Sequence, residues 1–204
     1  MKINGKAHRW QLGEAARYPR SDLRHYRHWR AWKDPPSPRH ALYKSMWDLM
    51  HALPANERNR VLVELRGWAG VEQAGRSSHR LLSVEEAVDL ARGGTIEIGA
   101  HTVTHPSLST LPVDSQRLEI VRSKATLEDI VGVPVTSFAY PYGKRSDYSG
   151  QTITLVREAA FARACTNFPG LVKRSTDGFQ LPRLQVHDWD GDAFLEQLVK
   201  WFDG

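Results

Sequence analysis

The chain has 204 residues, with 28 Lys and Arg against 23 Asp and Glu and 41% hydrophobic residues. This composition excludes wholesale disorder and suits one domain of ordinary size, or one domain with a large insertion. A single cysteine, Cys165, excludes an internal disulfide framework and a cysteine-based zinc cluster. No apolar run reaches the roughly 20 residues a membrane-spanning helix needs. The polar start MKINGKAHRW has no signal-peptide pattern, so a cytoplasmic, reducing setting is expected unless an export signal lies upstream.

In chain order, KINGKAHRWQL (2–12) reads as a β-hairpin about Gly5-Lys6. The net charge of +5 is concentrated just beyond it. Arg17, Arg20, Arg24, Arg27, Arg30, Lys33 and Arg39 face only Asp22 and Asp34, with Tyr18, Tyr26, Trp29 and Trp32 interleaved. Basic and aromatic residues together can hold nucleic acid or stack on sugars. They also make an ordinary solvated face on a structural insertion, which is the expectation here; nucleic acid is not the expected partner. DPPSPRH (34–40) is excluded from a helix interior by its three prolines. Leu42, Met46, Leu49 and Met50 follow at helical spacing, and a second helix fits 55–68, with Val61, Leu62, Leu65 and Trp68 on one side and Gly70 beyond. Residues 1–80 thus read as an accessory α-rich piece with a small hairpin.

From 81 the pattern alternates. Ser83 and Glu86 form a capping-box pair ahead of a helix that Gly93-Gly94 ends. TIEIGAHT (95–102) reads as a strand. A long helix spans 113–131, with Leu118, Val121, Leu127 and Ile130 inward and Gly132 as its stop. VPVTSFAY (133–140) is a second strand, 152–162 a helix, FARACT (161–166) a third strand, and 191–202 an amphipathic C-terminal helix. This order predicts an α/β parallel sheet or barrel over 81–204.

Three segments carry chemistry. His101-Thr102-Val103-Thr104-His105 places two imidazoles four residues apart, on one side if the segment turns helically and close enough to share a divalent ion. It lacks the Glu of the HExxH metalloprotease pattern. Phe138-Ala139-Tyr140-Pro141-Tyr142-Gly143 leaves a strand at its C-terminal end, where barrel sites are built and where a rigid turn can present a backbone N–H to an oxyanion. Val186-His187-Asp188-Trp189-Asp190 offers His187 as a general acid.

Taken together and in this order, Glu97-Ile98-Gly99-Ala100-His101 running to His105-Pro106, the helix after it and the FAYPYG turn resemble the polysaccharide deacetylase (carbohydrate esterase family 4, NodB-homology) family over roughly 80–204. The resemblance implies an incomplete distorted (β/α) barrel and metal-dependent hydrolysis of N-acetyl, or O-acetyl, groups on carbohydrate. It implies a divalent metal, in most members zinc, held by His101 and His105. Tyr142, through its backbone N–H, and His187 become the catalytic residues, and Tyr140 and Pro141 contact substrate. An acetylated carbohydrate is the expected partner.

Three departures qualify this. The family's adjacent aspartates, which supply the general base and the third metal ligand, have no counterpart in residues 1–100. Ala139 stands where the family's turn often has Arg. Leu184-Gln185-Val186-His187 fits the family's Leu-x-x-His context loosely. The expectation is therefore a truncated deacetylase, weakly active or inactive alone, with Asp147, Asp188, Asp190 and Glu97 as unranked substitutes for the missing carboxylate. The alternative is a non-catalytic carbohydrate- or partner-binding remnant that keeps Trp29, Trp32, Tyr140 and Tyr142 as its aromatic surface.

Overall fold

A glycine at +74° φ, Gly5, turns the chain between β1 (Lys2–Ile3) and β2 (Lys6–Ala7), which pair antiparallel with Lys2 opposite Ala7. The computed structural model describes residues 2–3, 5–17, 19–71 and 80–202. Tyr18, one of the interleaved aromatics, lies outside the described residues, as do residues 72–79 just ahead of the boundary expected at 80/81. The chain divides into two units, Met1–Gly75 and Arg76–Gly204.

In the first unit a short 3-10 turn (Gly13–Ala16) and α1 (Arg20–His25) precede α2 (Pro38–His51) and α3 (Ala55–Ala69). Pro38 occupies the first turn of α2, where the missing N–H has no helical partner to lose, so the proline-rich stretch starts the helix. Gly70 ends α3 in the left-handed conformation at φ 62°. Met46, Leu53 and Val61 form a small core packed by Trp10, Leu42, Leu49, Met50 and Leu65. Trp68, expected on the inward side of α3, is instead 73% exposed. Two of the interleaved aromatics are engaged in packing: Tyr26 and Trp29 set their rings edge-on to buried His40, at 4.8 and 4.5 Å. Burial first, and Arg39 second, lower the His40 pKa.

The second unit opens with α4 (Val84–Arg92), where Ser83 and Glu86 complete the expected capping box. Extended chain then leads through a 3-10 turn (Leu108–Thr110) to α5 (Val113–Val131), β3 (Ser137–Ala139), α6 (Gly150–Glu158), β4 (Arg163–Cys165) and α7 (Gly191–Phe202). β3 and β4 are parallel, with Phe138 opposite Ala164. Single parallel bridges extend the sheet on both sides, from Ala100 to Phe138 and from Cys165 to Leu181. Four neighbouring parallel segments among helices form an incomplete (β/α) barrel arrangement.

Several elements are shorter or rotated relative to expectation, each for a local reason. The 95–102 strand reduces to the Ala100 bridge; Glu97 in that segment is held by its side chain, which accepts hydrogen bonds from Thr136, Ser137 and Arg163. β3 begins four residues later than its pattern, because Pro134 has no N–H and the Val135 N–H donates to the Glu128 carboxylate. α6 starts early, at the Ser149–Thr152 capping box, and stops before Ala160, whose φ of 56° is incompatible with helix. On α5 the inward stripe is Val113, Gln116, Ile120, Ser123, Leu127 and Val131, while Leu118 and Val121 face solvent. The core that this stripe covers holds Leu108, Val135, Phe138, Tyr140, Leu155, Val156 and Phe161.

Candidate functional site

Ala100 places the first histidine. Its N–H donates to the Ser137 carbonyl and its carbonyl accepts from the Ala139 N–H, both at 2.9 Å, so His101 emerges at the C-terminal end of β3. There the His101 Nδ1 lies 2.7 Å from the Ala139 carbonyl. A carbonyl only accepts, so Nδ1 carries the proton and Nε2 of the neutral ring keeps its lone pair. Metal-ligating imidazoles are oriented in this way, by a hydrogen bond from the other ring nitrogen.

The chain between the histidines is a tight loop rather than the helical turn considered above. Thr102 and His105 take positive φ values of 65° and 56°, and the Thr102 hydroxyl accepts from the His105 N–H at 3.1 Å. Glu119 of α5 holds the loop closed. Its carboxylate accepts from the backbone N–H groups of Val103 and Thr104, both at 2.8 Å, and from the Thr104 hydroxyl at 2.7 Å. The two imidazoles consequently meet edge to face, with ring centroids 4.7 Å apart.

Tyr142 closes the other side. Its φ of 59° turns the ring toward His105, with centroids at 4.7 Å. The next residue must be glycine: Gly143 has φ 67°, and a Cβ there would stand 2.7 Å from the Asn167 backbone nitrogen. That nitrogen donates to the Gly143 carbonyl at 2.9 Å, joining the turn to the chain leaving β4. Asp147, buried just beyond, accepts from the Ser107 hydroxyl and the Lys144 N–H and so ties the turn to the segment after His105.

These residues border an open cleft of ≈ 420 Å³ lined by His101, His105, Tyr140, Tyr142, Asn167, Arg183, Leu184 and Gln185. The cleft gathers both histidines and Tyr142. Tyr140, expected to contact substrate, lines the cleft as its floor: the residue is 1% exposed, stacks on Tyr148 at 4.2 Å and donates its hydroxyl to the Phe179 carbonyl. Burial, with Tyr148 and Asp177 nearby, pushes its phenol far above the usual tyrosine range. Pro141 is fully buried as well and offers no side-chain surface to a substrate. His187 is exposed, packs against Trp189 at 5.3 Å and does not line the cleft.

The unranked carboxylates are engaged elsewhere or lie outside the cleft. Glu97 binds Arg163, Asp147 joins two loops, and Asp190 accepts from the Ala193 N–H at the start of α7. Asp188 is exposed and, like the other three, does not line the cleft. Among the described residues no three His, Cys, Asp or Glu side chains gather as a metal-binding group.

Glu119, Asn167 and Arg183 escaped the sequence reading. Glu119 carries no local signal: it is a half-buried acid beside Ile120 on α5 whose partners lie in the histidine loop. Asn167 and Arg183 belong to no local pattern and reach the cleft only through the parallel pairing.

Residues 68–162 match the family profile described as polysaccharide deacetylase. No curated protein matches the chain. Among solved structures, the deacetylase PplD of Streptococcus pyogenes, determined in complex with acetate, is 21% identical over 59% of this chain and 52% of its own, with a TM-score of 0.53. A polysaccharide deacetylase of Bacillus cereus is 21% identical over 71% of this chain and 47% of its own, with a TM-score of 0.52. The chain therefore spans about half the length of these structures, and at such identity the likeness is one of fold. Through residues 68–162, this chain resembles the polysaccharide deacetylase family.

Proposed function

We propose that the cleft between the His101–His105 pair and Tyr142 takes an acetylated carbohydrate and serves removal of its acetyl group. The observation that carries this reading is the oriented imidazole pair: His101 is fixed through Nδ1 to the Ala139 carbonyl, with His105 4.7 Å away. The donor set fits a divalent cation such as zinc as far as two imidazoles go. His101 and His105 would hold it, with the remaining positions left to water or another donor. When bound, such a cation polarises the acyl carbonyl and acidifies water.

The chain's own residues do the rest. The Glu119 carboxylate keeps the histidine loop in its conformation, and Tyr142 stands against His105 at the rim. The Tyr142 backbone N–H is the donor assigned to the developing oxyanion, and the buried Tyr140 and Pro141 make its support rigid. His187 is the residue assigned to protonate the leaving amine, a role that requires its segment to approach the cleft. None of the residues lining the cleft carries a carboxylate to take the proton from water. The absence of a general base lowers rate by about 10²–10⁴, so turnover by this chain is slow or nil.

The test is acetate release from an acetylated chito-oligosaccharide while zinc is titrated into the full chain. Slow, zinc-dependent release that His101→Ala and His105→Ala each abolish is the expected result. Turnover indifferent to both substitutions overturns the assignment. Saturable binding of the oligosaccharide without any release favours the carbohydrate-binding remnant, which the lack of a carboxylate in the cleft also supports.

A further inference from the structure

The same cleft has a charge character that the deacetylase reading does not use. The second unit has 14 Lys and Arg against 16 Asp and Glu, yet no acidic residue lines the cleft, and Arg183 does. Four other arginines of this unit, Arg80, Arg117, Arg157 and Arg163, each reach a carboxylate within 2.5–2.7 Å. Arg183 has no carboxylate partner among the described residues. Its Nε donates instead to the Thr166 carbonyl at 2.5 Å, and its backbone N–H to the Phe168 carbonyl at 3.2 Å.

This anchoring leaves a defined recognition edge. A guanidinium carries five N–H donors in a rigid plane. With Nε engaged, the side-on mode of binding is closed, and the end formed by the two terminal NH2 groups remains. That end matches the spacing of two carboxylate oxygens, and a charge-assisted pair of this kind is stronger than a neutral hydrogen bond. Asn167 and Gln185, on the same wall, offer amide groups suited to sugar hydroxyls. Leu184 supplies an apolar contact beside them.

We infer that Arg183 is a carboxylate receptor and makes the cleft selective for ligands bearing an acidic group, a uronic acid unit being the sugar form of that chemistry. The inference rests on the proposed function for the place of the ligand, and it adds the substrate class. Its experiment reads binding without turnover, so a failed deacetylation assay and a failed receptor are told apart. The full chain in EDTA, at fixed pH and constant ionic strength, is titrated with methyl glucuronide, methyl glucoside, acetate and chloride. The ring-proton signals of His101 and His105 are followed by NMR.

Glucuronide is expected to shift these signals saturably and to bind at least tenfold more tightly than glucoside. Arg183→Ala removes that preference. Arg183→Lys, which keeps the charge but not the planar fork, restores it only in part. Acetate binding as tight as glucuronide, with the same dependence on Arg183, upholds the receptor and identifies a free small acid as its ligand. Equal binding of glucuronide and glucoside by the unaltered chain, shifts reproduced by chloride, or a preference that survives in Arg183→Ala each overturn it. Circular dichroism checks that both variants remain folded.

Discussion

Glu119 has no role in the resemblance to the family, yet three donors of the histidine loop converge on its carboxylate. Removing it leaves the Val103 and Thr104 amides without their acceptor and frees a loop whose φ values at Thr102 and His105 are intrinsically unfavourable. Glu119→Ala is therefore expected to weaken zinc binding by about 10–100-fold, the cost seen when the partners that orient ligands are lost, with little change in far-UV circular dichroism. Glu119→Gln, which keeps one carbonyl acceptor, recovers part of the affinity in the same calorimetric titration. Undiminished zinc affinity in Glu119→Ala would show that the imidazole pair holds its geometry without the clamp. At this scale the sequence was only partly legible. The two histidines and the proline–tyrosine turn announce themselves by residue type and spacing. Glu119, Asn167 and Arg183 are brought in by tertiary packing and sit far from those motifs in the chain.

Among the elements, α5 separates what periodicity reveals from what it leaves open. Its extent, from Val113 to the left-handed stop at Gly132, follows from the run of helix formers and the glycine. Its facing does not, because apolar residues occur on both sides and two polar residues, Gln116 and Ser123, are buried. Gln116 satisfies its amide against the Leu111 carbonyl and the Thr152 hydroxyl, and Ser123 donates to the Ile120 carbonyl. Hydrogen bonding of this kind lets a polar residue occupy a position that a hydrophobicity pattern assigns to solvent. The assignment is checked by a pair of truncations. Ile120→Ala, at a fully buried site, is expected to cost about 2–5 kcal/mol. Leu118→Ala, at a site 50% exposed, should change stability by about 0.5 kcal/mol or less. Urea denaturation of both variants decides it, and equal losses would mean that the helix is rotated from the orientation described.

For the molecule as a whole, charge is divided unevenly: residues 1–75 hold 14 Lys and Arg against seven Asp and Glu, while the remainder is slightly acidic. The acidic part contains carboxylates held below their usual range. Glu86 falls to about 2 through the Arg80 guanidinium and the Ser83 N–H. Glu97 is lowered first by the Ser137 hydroxyl and then by Arg163, and Asp177 first by the Phe179 N–H. A carboxyl group whose pKa is lower folded than unfolded binds fewer protons in the native state, so it adds stability above the unfolded value. For Glu86 that contribution is complete above about pH 4.5 and is lost as pH falls toward about 2. Thermal melts of the chain between pH 7 and pH 2.5 should show a modest decline below about 6.5, where His40 with its lowered pKa is driven to protonate, and a further decline below about 4.5. Glu86→Gln should flatten the decline slightly, since exposed pairs contribute modestly. A melting temperature that rises on acidification would contradict these pairings.

The cleft's rim departs from conformational economy at three places. Thr102, His105 and Tyr142 all hold left-handed backbone that glycine adopts without strain. Each has a side chain in use: a hydroxyl on the next turn of the loop, an imidazole, an aromatic ring against that imidazole. Selection for heat resistance alone and selection for ligand capture thus pull these codons in opposite directions. A randomised library sorted under the two pressures would part company here, toward glycine or asparagine in one pool and toward the resident residues in the other.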